Sequence, residues 1–127
     1  MTEASSRSVS LAIPPKPDYI VLARLTLSAI CRLTPLQPDD VADLKLAVSE
    51  VATERLAGTP EGSVRLAFEL EDDRLVVDLH ARAAPAGSED ALSRAIVEAT
   101  VDEVTYNEAS VRLVKLLPPE SPDGLGA

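Results

Sequence analysis

The sequence predicts a two-layer α/β (α+β) sandwich: a mostly antiparallel sheet covered on one face by three helices. Three observations carry this expectation. Apolar residues alternate with polar ones in five short stretches, as they do in strands with one buried face. Three longer stretches place them at helical spacing instead. The stretches follow the order strand, helix, helix, strand, strand, helix, strand, strand, which reads as two hairpins, a lone strand and three one-sided helices. The 127 residues fit one domain, assigned to residues 1–117, that buries roughly two-thirds of the unfolded chain's surface.

Residues 1–7 are polar and expected to be loose. In residues 8–13, Val9, Leu11 and Ile13 alternate with Ser8, Ser10 and Ala12, the pattern of a half-buried strand. Pro14, Pro15 and Pro17 stop it, because proline cannot donate to a ladder. Residues 18–33 read as a helix with two apolar tracks. Tyr19, Leu22, Thr26, Ala29 and Leu33 form one, and Ile20, Ala23, Leu27 and Ile30 the other. Only Arg24, Ser28 and Arg32 make a polar stripe. A helix apolar over so much of its circumference is either deeply buried, the preferred reading, or also contacts a partner.

After the break at residues 34–37, a second helix begins near Pro38 with Asp39 and Asp40 in its first turn, where proline and acid are both favourable. Val41, Leu44, Val48 and Val51 face the core at helical spacing, while Asp43, Ala47, Glu50 and Glu54 fall on another face. Gly58, followed by Thr59 and Pro60, is expected to end this helix in a left-handed cap. Residues 63–71 and 75–79 alternate around an acidic turn at Asp72 and Asp73, as a hairpin does. Residues 81–87 form a small-residue loop. Ser88 is a plausible N-cap for a third helix whose apolar stripe is Leu92, Ala95, Ile96 and Ala99. Residues 104–106 and 110–117 make a second hairpin, and the Pro/Gly-rich tail 118–127 is expected to be disordered.

Composition excludes several functions. The formal charge of −9 argues against nucleic acid as a direct partner, which needs clustered Lys and Arg. Tyr19, Phe68 and Tyr106 are the whole aromatic set, too few for a base-stacking platform. The single cysteine, Cys31, excludes an internal disulfide; it reads as core packing, with a redox-sensing thiol as the lesser alternative. No apolar run approaches the ~20 residues needed to span a bilayer, and the first ten residues lack the apolar core of a signal peptide. A cytoplasmic protein with no membrane contact is expected. His80 has no second metal ligand nearby in sequence and reads as a structural strand-end histidine.

The second helix also carries a motif. Leu44, then Ala47-Val48-Ser49-Glu50, then Thr53, resembles the N-box helix of the anti-sigma-factor serine kinases, a branch of the GHKL (Bergerat) ATPases. Residues 22–25, similar to the family's Ala-Arg turn, and residues 101–104 with 111–114, similar to its closing helix and hairpin, extend the resemblance over nearly the whole chain. It implies the same two-layer fold, ATP and Mg²⁺ as cofactors, a homodimer, and a sigma factor and an anti-anti-sigma factor as partners. It places Glu50 at the position of the general base and Glu54 at that of the Mg²⁺-ligating Asn. It places Arg24 at a partner-contacting arginine, with Ser28 and Arg32 on the same stripe.

Three departures from the family pattern bear on catalysis. Glu54 replaces the Asn, and two carboxylates one turn apart repel each other and oppose a triphosphate, which weakens ATP binding without excluding it. The family's Asp-x-Gly-x-Gly falls on Ala81, Ala83 and Pro85, and alanine cannot accept the adenine hydrogen bond unless the alignment slips and Asp78 serves. Residues 86–90 leave no length for an ATP lid, and no glycine-rich phosphate loop opens the third helix.

The preferred reading of Glu50 and Glu54 is a solvated helix face, with a remnant regulatory or weak divalent-cation site including Asp43, or a working base, as alternatives. For the whole chain the preferred reading is a non-catalytic anti-sigma-like regulator needing no cofactor. The alternatives are an active serine protein kinase and an accessory dimerisation or sensing module that shares only the fold.

Overall fold

The computed structural model describes residues 7–82 and 91–119. The element order is the expected one: β1 (Arg7–Ile13), a 3₁₀ turn (Pro17–Tyr19), α1 (Ile20–Cys31), α2 (Pro38–Leu56), β2 (Val64–Leu70), β3 (Arg74–His80), α3 (Ala91–Thr100), β4 (Glu103–Tyr106) and β5 (Ser110–Leu116). The sheet runs β1-β2-β3-β5-β4 with every neighbouring pair antiparallel. The three helices lie side by side on one face, α2 between α1 and α3. Ser88, Ala83, Pro85, residues 86–90, where no length for a lid was expected, and most of the expected tail lie outside the described residues. No helix among the described residues is long and apolar enough to cross a membrane.

Alternation explains the core. Val64, Leu66, Phe68 and Leu70 of β2, Leu75, Val77 and Leu79 of β3, and Val111 and Leu113 of β5 point to the helices and are buried. Leu44, Ala47, Val48, Val51 and Ala52 of α2 meet them. Lys115, on the same face of β5, reaches Asp40 at the start of α2 at 3.7 Å. On the outer face, Arg112 forms a two-pronged pair with Asp78 at 2.8 and 3.0 Å.

Four expectations are corrected. The first helix is split, because Pro17 opens a 3₁₀ turn and regular α-helix begins only at Ile20. Its two apolar tracks do not share one fate. Ile20, Ala23, Leu27 and Ile30 are buried, whereas Tyr19, Leu22 and Leu33 stay exposed, as do Val21 and Leu25. A helix lying flat on a sheet can bury only one side, so core packing alone does not account for α1. Strand β1 is less buried than its pattern predicts: only Ile13 is buried, and Val9 is exposed, because β1 is an edge strand and the helix layer covers it only in part.

The fourth correction concerns the end of α2. Gly58 is not a left-handed cap. The Gly58 and Thr59 amides donate to the carbonyls of Arg55 and Leu56, tightening the last turn into 3₁₀ geometry. The positive φ occurs at Gly62 (89°), where the chain turns into β2. The other end of α2 is as expected: Pro38 is in its first turn, and Asp40 Oδ2 accepts from the Gln37 amide at 3.4 Å.

Candidate functional site

The face of α2 that carries the motif is turned towards α3, not into solvent. Residues 44, 48, 51 and 55 follow the core stripe, so residues 50 and 54 project sideways, one turn apart, into the seam between the two helices. There they meet consecutive residues from the first turn of α3. Ser93 Oγ donates to Glu50 Oε1 at 2.7 Å, and Arg94 Nη2 donates to Glu54 Oε2 at 3.1 Å. The Glu54 side chain is only 9% exposed and that of Arg94 32%. The guanidinium of Arg94 also lies over the ring of Tyr106 from β4, 3.9 Å from its centroid. Three elements converge on this one side chain.

These contacts replace the expected solvated face. Glu50 and Glu54 are both part-buried and hydrogen-bonded. The repulsion expected between them is offset by Arg94, a charge that sequence spacing within α2 does not reveal. Asp43 does not join them in a metal site: among the described residues no group of three His, Cys, Asp or Glu side chains could hold an ion.

Arg55 anchors the seam from beneath. It is 2% exposed, and its Nη1 donates to the carbonyls of Ala81 at 3.0 Å and Glu108 at 3.1 Å. Burial pulls its pKa down, and the neighbouring Glu54 carboxylate pulls it back up. Ala81 is itself buried, with its amide donating to the Ala109 carbonyl at 3.0 Å. Ala81, which the resemblance sets at the adenine-recognising position, therefore uses both its backbone groups inside the protein. Asp78 offers no replacement, because it projects to the outer face of the sheet and is held by Arg112. Tyr106 Oη and Arg94 Nε are buried without a hydrogen bond among the described residues. Burial pushes the Tyr106 phenol up, so it stays neutral.

Sequence reasoning missed Arg55, Ser93, Arg94 and Tyr106. Arg55 had left a signal: with Leu44, Val48 and Val51 it continues the core-facing spacing of α2, where a charged residue needs buried partners. Ser93 and Arg94 left none, because only the packing of α3 on α2 brings them to the glutamates.

Arg24, Ser28 and Arg32 lie elsewhere, on the flank of α1 nearer α2. Arg24 and Arg32 are exposed and Ser28 partly so. Helical spacing sets them beside the outward apolar row of Val21 and Leu25. Ser28 and Arg32 line a groove shared with Cys31, Leu36, Val41 and Lys45. The candidate site residues thus form two separate groups, one in the α2–α3 seam and one on α1. His80 stands at the end of β3, level with Arg65 and Ser110 on the neighbouring strands.

Curated sequences similar to this chain include the serine-protein kinase RsbW of Listeria innocua, 33% identical over 73 residues, and that of Bacillus licheniformis, 36% identical over 74. The chain is a distant relative of the RsbW serine-protein kinases. In both cases the match covers 54% of this chain and 46% of the relative, so it spans about half the length of the RsbW proteins it matches. No protein-family model matches the chain. Among solved structures, the RsbU and RsbW domains of Rv1364c from Mycobacterium tuberculosis superpose with a TM-score of 0.67 at 15% identity. That likeness covers 89% of this chain and 33% of the other, and it shows that the two share a fold. The Bergerat-like sandwich expected from the sequence is the fold observed.

Proposed function

We propose that this RsbW-like chain is a non-catalytic anti-sigma-factor-like regulator. It holds a sigma factor through the exposed side of α1 and is displaced by an anti-anti-sigma partner. The observation that carries the reading is the pairing of Glu50 with Ser93 and of Glu54 with Arg94. A general base must be within reach of the proton it removes, and a metal ligand must offer its oxygen to the metal. Both carboxylates already serve side chains of the same protein. Ala81 in place of an aspartate removes the acceptor that would select adenine. Binding, by contrast, has a surface to use: Arg24 and Arg32 beside exposed Val21, Leu22 and Leu25 offer charge and apolar area on a rigid helix.

Isothermal titration with Mg·ATP tests this. No heat of binding is expected up to millimolar nucleotide, and a micromolar Kd would overturn the reading. Capture of a sigma factor in a pull-down, lost on Arg24→Glu, tests the binding half. Capture unaffected by that charge reversal would put the contact on another surface and favour an accessory module that shares only the fold.

A second reading rests on the relatives' names. They are serine-protein kinases, and the motif resemblance sets Glu50 where the family's base stands. In this reading the chain phosphorylates an anti-anti-sigma partner with ATP and Mg²⁺. Radiolabel transfer to that partner would establish it, and Glu50→Gln should then abolish the transfer.

A further inference from the structure

We infer that α3 is a built-in plug for the α2 seam, so that the seam is closed by the protein's own side chains and its closure does not respond to nucleotide. The inference rests on the non-catalytic reading above and extends it to regulation.

Two neighbouring residues of α3 engage two glutamates spaced one turn apart on α2, with different chemistry at each. Ser93 supplies a neutral donor to Glu50 at 2.7 Å, and Arg94 supplies a positive charge to Glu54 at 3.1 Å. Two carboxylates on adjacent turns need a cation or a donor between them, from solvent, a metal or the protein. Here the protein provides it. The exchange also explains why an acid at position 54 is tolerated: a guanidinium bonds a carboxylate more strongly than it would an amide.

Tyr106 sets the direction of the plug. Its ring backs the guanidinium on the side of β4, so Arg94 is held between a carboxylate on α2 and an aromatic face on the sheet. Beneath it, Arg55 ties the same stretch of α2 to Ala81 and Glu108. This stretch of α2 is thereby tied to the end of β3 and to the turn between β4 and β5. With α3 seated in this way, the relative position of α2 and α3 is the same whether or not nucleotide is present in solution.

Hydrogen exchange read by mass spectrometry tests the plug on the full chain. In the unaltered protein, the amides of residues 91–100 should exchange slowly, with rates unchanged by Mg·ATP or Mg·ADP. The Ser93→Ala/Arg94→Gln variant should exchange these amides at least tenfold faster while β2 and β3 keep their protection. Arg94→Lys keeps the charge on Glu54 but loses the planar contact with Tyr106, and should fall between the two. If either variant exchanges residues 91–100 at the parental rate, the plug is wrong. Failure of the underlying reading looks different: the unaltered chain would bind Mg·ATP and its α3 amides would slow further.

Discussion

At the scale of single residues, the two most informative side chains are ones whose surroundings contradict their chemistry. Arg55 is a charged residue in the core stripe of α2, sustained by two carbonyl oxygens. Replacing it with methionine keeps much of the volume and leaves the buried Ala81 carbonyl without that donor, at about 1–3 kcal/mol, while the carbonyl of exposed Glu108 can turn to water. Arg55→Met should therefore lower stability by about 1–3 kcal/mol, measured by urea denaturation. Cys31 is buried at the end of α1, and that burial pushes its thiol up to about 11, with nearby Lys45 opposing the shift. The folded state thus holds the proton more tightly than the unfolded chain. Stability should be level below the ordinary thiol pKa, and fall as pH rises from about 9 towards 11. Denaturation midpoints across that range should show the fall, and Cys31→Ala should flatten it. A thiol reagent at neutral pH should label Cys31 far faster in urea than in buffer, which fits core packing rather than redox sensing.

At the scale of elements, α1 has two apolar sides, one buried and one exposed. Leu27 is fully buried between helix layer and sheet, so Leu27→Ala should cost about 2–5 kcal/mol. Leu25 is 60% exposed, and Leu25→Asp should change stability by no more than about 0.5 kcal/mol. If α1 is the partner surface, the same Leu25→Asp change should abolish capture of the partner in a pull-down. The pair of variants separates a folding role from a binding role within one helix. The periodicity of α1 revealed both tracks but not which one the sheet would take. The sheet takes the track of Ile20, Ala23, Leu27 and Ile30.

For the whole molecule, the strand order leaves β1 and β4 as edges. Edge strands with unpaired amides and carbonyls invite pairing. Among the described residues β1 pairs only with β2, and it carries exposed Val9 on the helix side of the sheet. The homodimer implied by the family resemblance would find free backbone groups and apolar area there. Sedimentation equilibrium should give twice the chain mass, and Val9→Lys should return the protein to the monomer. A monomeric parent at micromolar concentration would overturn the homodimer that the resemblance implies.

The sequence by itself determined the eight main elements, their order and which side of each strand and of α2 is apolar, because those follow from periods of two and 3.6 residues and from the prolines that interrupt them. It also placed Glu50 and Glu54 on one side of one helix, and the resemblance set Glu54 and Ala81 where the family has Asn and Asp. It did not determine what those glutamates touch. Ser93 and Arg94 are about 40 positions away in the chain. Their meeting with α2 is a consequence of β5 taking the place beside β3, with β4 at the edge, which sets α3 against α2. Local pattern is written residue by residue and can be read that way. The pairing of a carboxylate with its cation is decided by how whole elements pack, and only the tertiary structure shows that the glutamates of α2 are engaged from within.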